Sequence, residues 1–265
     1  MNKGFVILAQ NTVDCDYVKC AEVLAASIRK AMPNSNITLV TDNVDHSKYF
    51  DYVVALPYGD LEPNSEWKLS NDWQIYEASP YEFTIKLEAD MYLPTSVDYW
   101  WEVLQNKEIV ISETIRDFRG NISNSTFYRN FICNNNLPNV YNALTYFKKG
   151  NLAEKFFQTC KTCFEDWNSV TSEFKCNINE PPTTDWVYSI ACLLQGVENT
   201  TLPNFNAFSM VHMKQYINDL LSEDWTKECV YEISNNGIRV NTYPQLYPFH
   251  YHIKNFSDIL LDECT

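Results

Sequence analysis

Glu88 and Asp90 are the pair in this sequence best spaced to do chemistry. They close the run Ser79-Pro80-Tyr81-Glu82-Phe83-Thr84-Ile85-Lys86-Leu87-Glu88-Ala89-Asp90-Met91-Tyr92-Leu93-Pro94. Ile85 and Leu87 alternate there with Lys86, Glu88 and Asp90, so an extended backbone puts the three charged residues on one face. Two carboxylates two residues apart at the end of a strand can converge on one divalent cation. Hard oxygen donors suit magnesium or manganese, ions that also hold a substrate's phosphates. The competing reading is a surface strand with alternating charges. A second group stands near the end of the chain, in Pro248-Phe249-His250-Tyr251-His252-Ile253-Lys254-Asn255. On an extended backbone its two histidines face the same side.

The elements that must position these groups alternate between strand and helix. Gly4–Ala9 is a continuous apolar run, as in a central parallel strand. From Tyr17 to Met32 the residues Val18, Ala21, Leu24, Ala25 and Ile28 recur at helical spacing, and Pro33 and Asn34 stop the helix. Ile37–Asp42 and Tyr52–Leu56 read as the next strands, Lys68–Ala78 as a helix leading into the Glu88/Asp90 strand, and Ile109–Ser112 as a further strand. Strand, helix, strand with short connections is a right-handed unit feeding a parallel sheet. Ligands of such sheets sit beyond the carboxyl ends of the strands, which points to Ala9, Gln10, Asn11, Thr12, Tyr17 and Asp42. Asn11 or Thr12 could equally cap the following helix. Late in the chain, Asn235-Asn236-Gly237 is a hairpin turn signal.

Composition narrows the function classes. With 265 residues, 45% of them hydrophobic, the chain can bury a large core. There is neither a G-x-G-x-x-G nor a Walker A sequence, and only six glycines, which argues against dinucleotide or P-loop nucleotide binding. A net charge of −14 disfavours a broad footprint on nucleic acid or an anionic membrane. No run reaches the roughly 18 apolar residues needed to span a bilayer. Phe5–Ala9 is too short for a secretory signal. Nine cysteines scatter without the spacing of a secreted module, and Cys160-x-x-Cys163 reads as buried thiols. The expected location is the cytoplasm, of a host cell if the chain is viral.

The segment Ser79–Leu93 resembles the line that carries the D-x-D motif in nucleotide-sugar-dependent glycosyltransferases of the GT-A fold. The departure is Glu88 where that family has Asp. One added methylene moves the carboxylate outward by about 1.5 Å, so Glu88 reaches the metal or else contacts the ribose or a water. Asn139–Phe147 with the helical Ala153–Phe157 is similar to the family's segment under the donor sugar, with Ala143 in place of Gly or Ser. The resemblance implies a GT-A, Rossmann-like α/β fold, with a mixed, mostly parallel sheet flanked by helices. It implies a nucleotide-sugar-binding core over 1–204 and an acceptor-side extension over 205–265 that completes the site.

The same resemblance implies the cofactors and the site. The donor would be a nucleotide sugar, UDP-linked, with Mn2+ or Mg2+. Asp90 and Glu88 would hold the metal together with His252, or His250 as the alternative; an imidazole donor favours manganese. The base would lie near Ala9, Asn11 and Thr12, with Tyr17 stacking on it and Asp42 at the same edge. Lys68 and Lys254 would meet the diphosphate. Asn142 would touch the sugar, and Asp185, in the first turn after Pro181-Pro182-Thr183-Thr184, would be general base or acceptor contact, or else a helix-dipole cap.

The acceptor stays open among a glycan, a protein, a metabolite and a hydroxymethylated phage DNA base. The last would need a local basic groove, for which Lys148, Lys149, Arg116, Arg119 and Arg129 are the candidates. Two other classes remain. A sugar-phosphate nucleotidyltransferase should carry a glycine-rich basic loop early in the chain, and Gln10–Asp16 has neither glycine nor lysine. A catalytically dead GT-A-like binding module is the other.

Overall fold

The computed structural model describes residues 2–42, 48–65, 67–174, 180–234 and 237–264. Its main sheet has six strands: β1 (Lys3–Leu8), β2 (Ile37–Thr41), β3 (Tyr52–Ala55), β4 (Phe83–Glu88), β6 (Ile109–Ser112) and β9 (Tyr141–Lys148), in the order β3-β2-β1-β4-β9-β6. The first four run parallel, while β9 is antiparallel to both β4 and β6. Both faces of this mixed sheet are covered, which is why its strands read as apolar runs. Phe5, Ile7, Ile85 and Leu87 pack on one side with the helix Tyr17–Ala31. Val6, Val40, Ile109 and Phe147 pack on the other with the helices Asn151–Glu165 and Thr184–Gln195.

Local chemistry sets the first crossover. The Asp16 carboxylate accepts from Lys19 N at 3.0 Å and caps the helix Tyr17–Ala31, whose buried stripe includes Cys20, Leu24 and Ile28. Lys68–Ala78, expected as one helix, instead forms a 3-10 turn over Leu69–Gln74 followed by a short α-helix, Ile75–Ala78. Tertiary bonds override its periodicity: Asn71 and Gln74 accept from Leu61 N and Tyr58 N, both at 2.9 Å, and Lys68 enters with φ 50°. Cys160 and Cys163 are free thiols in the buried face of their helix, and burial pushes the Cys163 thiol up to about 11.

A second sheet joins the two ends of the chain. It contains β5 (Met91–Tyr92), β7 (Thr114–Arg116), β8 (Ile122–Ser123), β10 (Ser209–His212) and β14 (Phe249–His250), in the order β5-β14-β10-β7-β8. Residues after 204 therefore share a sheet with β5 and β7. The registers matter: His250 pairs with Met91, next to Asp90, and His212 pairs with His250. The remaining strands are β11 (Tyr231–Ser234), β12 (Gly237–Val240) and β13 (Tyr243–Pro244), which form an antiparallel meander. Ser234 opposite Gly237 closes the expected hairpin; its turn residues Asn235 and Asn236 lie outside the described residues. Among the described residues, no helix is long and apolar enough to cross a membrane.

Candidate active site

A cleft of about 840 Å³ opens at the carboxyl ends of β1 and β4. These ends are adjacent because Leu8 lies in register with Glu88. Beyond Glu88 the chain turns at Ala89 and Asp90 into β5, and the pairing of β5 with β14 brings His250 onto the carboxylates. His250 Nε2 lies 3.1 Å from Asp90 Oδ2 and 3.3 Å from Glu88 Oε2. The extra methylene of Glu88 thus leaves it in the cluster. The ligand atoms of Glu88, Asp90 and His250 all lie within 4.8 Å of one another.

Charge on these groups is set by opposing effects. Burial works against ionised Asp90, but His250 and Lys254, whose ammonium bonds Asp90 Oδ2, outweigh it and hold its carboxyl well below the usual range. Burial raises the Glu88 carboxyl against the pull of His250 and Lys86. Lys254 is disfavoured by burial yet raised overall by Asp90 and Tyr17, over whose ring its ammonium sits at 5.2 Å. An ionised carboxylate, a second carboxylate and an imidazole at this spacing fit a divalent cation of the manganese kind.

His252 stands elsewhere than against the carboxylates. Its backbone is left-handed, φ 61°, and its Nε2 lies 3.2 Å from His212 Nδ1. The residues expected at the nucleotide side divide as well. Ala9 and Tyr17 line the cleft, whereas Asn11 and Thr12 are not among its lining residues; Asn11 Oδ1 accepts from Val18 N at 2.9 Å, a helix-start bond. Lys68 lines the cleft but is held by Asp60 at 2.7 Å and Asp42 at 3.1 Å. Asp42 also accepts from Gln10 Nε2 at 3.3 Å.

The opposite wall comes from β9, the helix Thr184–Gln195 and the segment before β9. Asn142 is buried and lines the cleft; its Nδ2 has no hydrogen-bond partner among the described residues. Asp185 lies in the first turn of the helix capped by Thr183, and both its oxygens are engaged: Oδ1 accepts from Asn142 N at 3.0 Å and Oδ2 from Arg129 Nη1 at 2.8 Å. Arg129 is 2% exposed and lies 4.2 Å over the Tyr141 ring. Of the five cations considered for a nucleic-acid groove, Arg129 lines this cleft and Arg116, Arg119, Lys148 and Lys149 do not.

Several lining residues were not among those expected from the sequence: Asp72, Lys86, Tyr128 and His212. By its spacing Lys86 shares the face of Glu88, but nothing local signals that it is fully buried. His212 carried one readable signal, as one of four histidines.

No protein-family model matches the sequence, and no curated protein sequence matches it. Solved structures are similar in fold. The glycosyltransferase GlyE of Streptococcus pneumoniae TIGR4 superposes on all of this chain and 60% of its own, with a TM-score of 0.53 at 10% identity. The galactosyltransferase LgtC, in complex with donor and acceptor sugar analogues, matches over 66% of each chain with a TM-score of 0.44 at 11% identity. Mouse xyloside xylosyltransferase 1 matches over 73% of this chain and 82% of its own, with a TM-score of 0.45 at 11% identity. The chain spans about three fifths of the length of GlyE. Its architecture is the GT-A glycosyltransferase fold.

Proposed function

We propose that the chain is a metal-dependent glycosyltransferase that moves a sugar from a nucleotide-sugar donor to a hydroxyl acceptor. The observation that carries this reading is the convergence of Glu88, Asp90 and His250 at the end of β4, inside a cleft large enough for a nucleotide sugar. Asp90 and Glu88 would hold Mn2+ or Mg2+, with His250 Nε2 as the third donor. The bound ion would neutralise the diphosphate and stabilise charge on the departing nucleotide.

The remaining roles belong to the protein's own groups. Lys254, already beside Asp90, is placed to shift its ammonium onto a diphosphate oxygen. Tyr17 offers its ring at the cleft edge, and the backbone around Ala9 is placed to cradle the base. Asn142 Nδ2 supplies a donor for a sugar hydroxyl. Asp185 fixes Arg129 and the Asn142 backbone, and its two engaged oxygens favour this positioning role over that of base. Lys68, with two carboxylates, organises the edge near Asp42. We take the donor to be UDP-linked, and a cytoplasmic setting suits the free cysteines among the described residues.

Thermal melting against nucleotides and nucleotide sugars, with and without manganese, tests the reading. Ligand at about 100 times its Kd adds near 2.7 kcal/mol, a shift of several degrees for a domain of this size. The expected result is a metal-dependent shift with one nucleoside diphosphate, together with slow donor hydrolysis lost in Asp90→Ala. A shift without hydrolysis would indicate a binding module; a folded protein with no shift would overturn the donor site.

A further inference from the structure

We propose that His212, His250 and His252 form a second metal site, for one borderline ion of the zinc class, bound through three imidazole nitrogens. The site adjoins the carboxylate cluster but is chemically distinct from it, and it stands whether or not the chain transfers a sugar.

The fold assembles the three rings from two strands. His212 ends β10 and pairs with His250 on β14 across a parallel ladder, while His252 follows two residues later. Their ligand atoms all lie within 4.8 Å of one another. His212 Nδ1 is 3.2 Å from His250 Nδ1 and 3.2 Å from His252 Nε2. Zinc–nitrogen bonds are about 2.0–2.1 Å, so the edge of a tetrahedron around zinc is about 3.3–3.4 Å. Two of the three nitrogen–nitrogen edges therefore already stand near the spacing that one ion requires, and the third lies within 4.8 Å.

Hydrogen bonding alone does not account for the arrangement. A neutral imidazole nitrogen carries either one N–H or one lone pair. His212 Nδ1 faces two other ring nitrogens, so one of the two contacts stays poorly matched, whereas a cation accepts all three lone pairs. The backbone adds a second sign. His252 holds φ 61°, a left-handed conformation unfavourable for a non-glycine residue, and this backbone turn brings the third ring onto the other two. The ring walls are closed by Tyr128 and Tyr141, with centroids 6.4 and 6.1 Å from that of His212.

His250 joins the two sites through different nitrogens. Its Nδ1 faces the triad, and its Nε2 faces Asp90 and Glu88. With Nδ1 on a metal, Nε2 carries the proton and donates it to a carboxylate, the arrangement that orients metal-bound histidines elsewhere. One neutral imidazole has one lone pair, so it serves one ion at a time. Zinc in the triad thus leaves a hard ion to Asp90, Glu88 and the donor's phosphates, a donor set that suits magnesium or manganese. Three imidazoles instead suit zinc, copper or nickel.

The test is zinc titration of chelator-stripped protein in competition with a metallochromic chelator, with cobalt absorption reporting the ligand geometry. We expect one zinc per chain, a tetrahedral cobalt spectrum, and affinity lowered more than about 10-fold in His212→Ala and in His252→Ala, since even indirect partners of a metal cost that much. Glu88→Gln should keep zinc, because Asp90 still accepts from His250, and bound zinc should weaken manganese binding. Because His212 is buried, the less buried His252 is the decisive position if His212→Ala does not fold. Wild-type zinc affinity in His252→Ala, or an equal loss in Glu88→Gln, would overturn the site.

Discussion

Lys86 Nζ stands 2.7 Å from Asp72 Oδ1, with side chains only 1% and 8% exposed, two residues before Glu88 on β4. Tyr188 donates to the other Asp72 oxygen at 2.6 Å, and Lys86 also donates to the Asn142 carbonyl at 3.2 Å. One buried ion pair thus links β4, the segment before it and β9. Breaking such a pair leaves an uncompensated charge, so Lys86→Met should cost about 3–5 kcal/mol. Replacing both partners with apolar residues should recover most of that loss. Urea denaturation of the single and double variants reads both numbers.

Burial works against ionised Asp90, and His250 and Lys254 outweigh it and hold the carboxyl well below the usual range. Asp90→Asn keeps the shape and removes the charge. Manganese affinity should fall by more than about 10-fold, and donor hydrolysis should vanish with the fold intact. Manganese titration beside circular dichroism checks this; unchanged manganese binding would move the ion off Asp90.

Asn142 Nδ2 is buried without a hydrogen-bond partner among the described residues. Asn142→Ala gives up no bond of that nitrogen in the free protein, so its melting temperature should change little. Donor affinity should drop by the worth of one hydrogen bond, about 0.5–1.5 kcal/mol. A large loss of stability with unaltered donor affinity would assign Asn142 to the core.

Asp185 and Arg129 make the opposite case. Asp185→Ala strips the partner of a guanidinium that is 2% exposed, and should cost about 3–5 kcal/mol in chemical denaturation. A carboxylate that served only as a base would leave stability untouched and abolish transfer. Arg129→Lys should not substitute, because Arg129 bonds both Asp185 and the Val140 carbonyl through its fork.

Gly4 on β1 faces the Tyr81 ring so closely that a Cβ would lie 2.4 Å from it. Tyr81 is pinned by the bond between its hydroxyl and Thr38 Oγ1, 2.7 Å. Gly4→Ala should therefore destabilise by about 1–3 kcal/mol through overpacking, without affecting nucleotide affinity. Paired melting curves with and without donor separate the two effects.

What the sequence determined alone was whatever local pattern encodes. The apolar runs of β1 and β2, the helical stripe from Val18 to Ile28, and the alternation that ends in Glu88 and Asp90 all act over a few residues, so the order of elements and the carboxylate pair were readable. The turn from one strand into the next at Ala89 keeps both acids at one strand end, as their spacing implied. Tertiary structure decided what lies across from them. His250 and His252 look equivalent on an extended backbone; the pairing of His250 with Met91, together with φ 61° at His252, separates them. Lys254 reaches Asp90 across 164 residues, and His212 arrives on a strand that no local periodicity links to either. Likewise the alternation puts Lys86 on the face of Glu88, but its burial follows only from Asp72 and Tyr188, which close over it. Spacing fixes which side chains share a face, whereas strand register and helix packing, set by burial over the whole core, choose their partners.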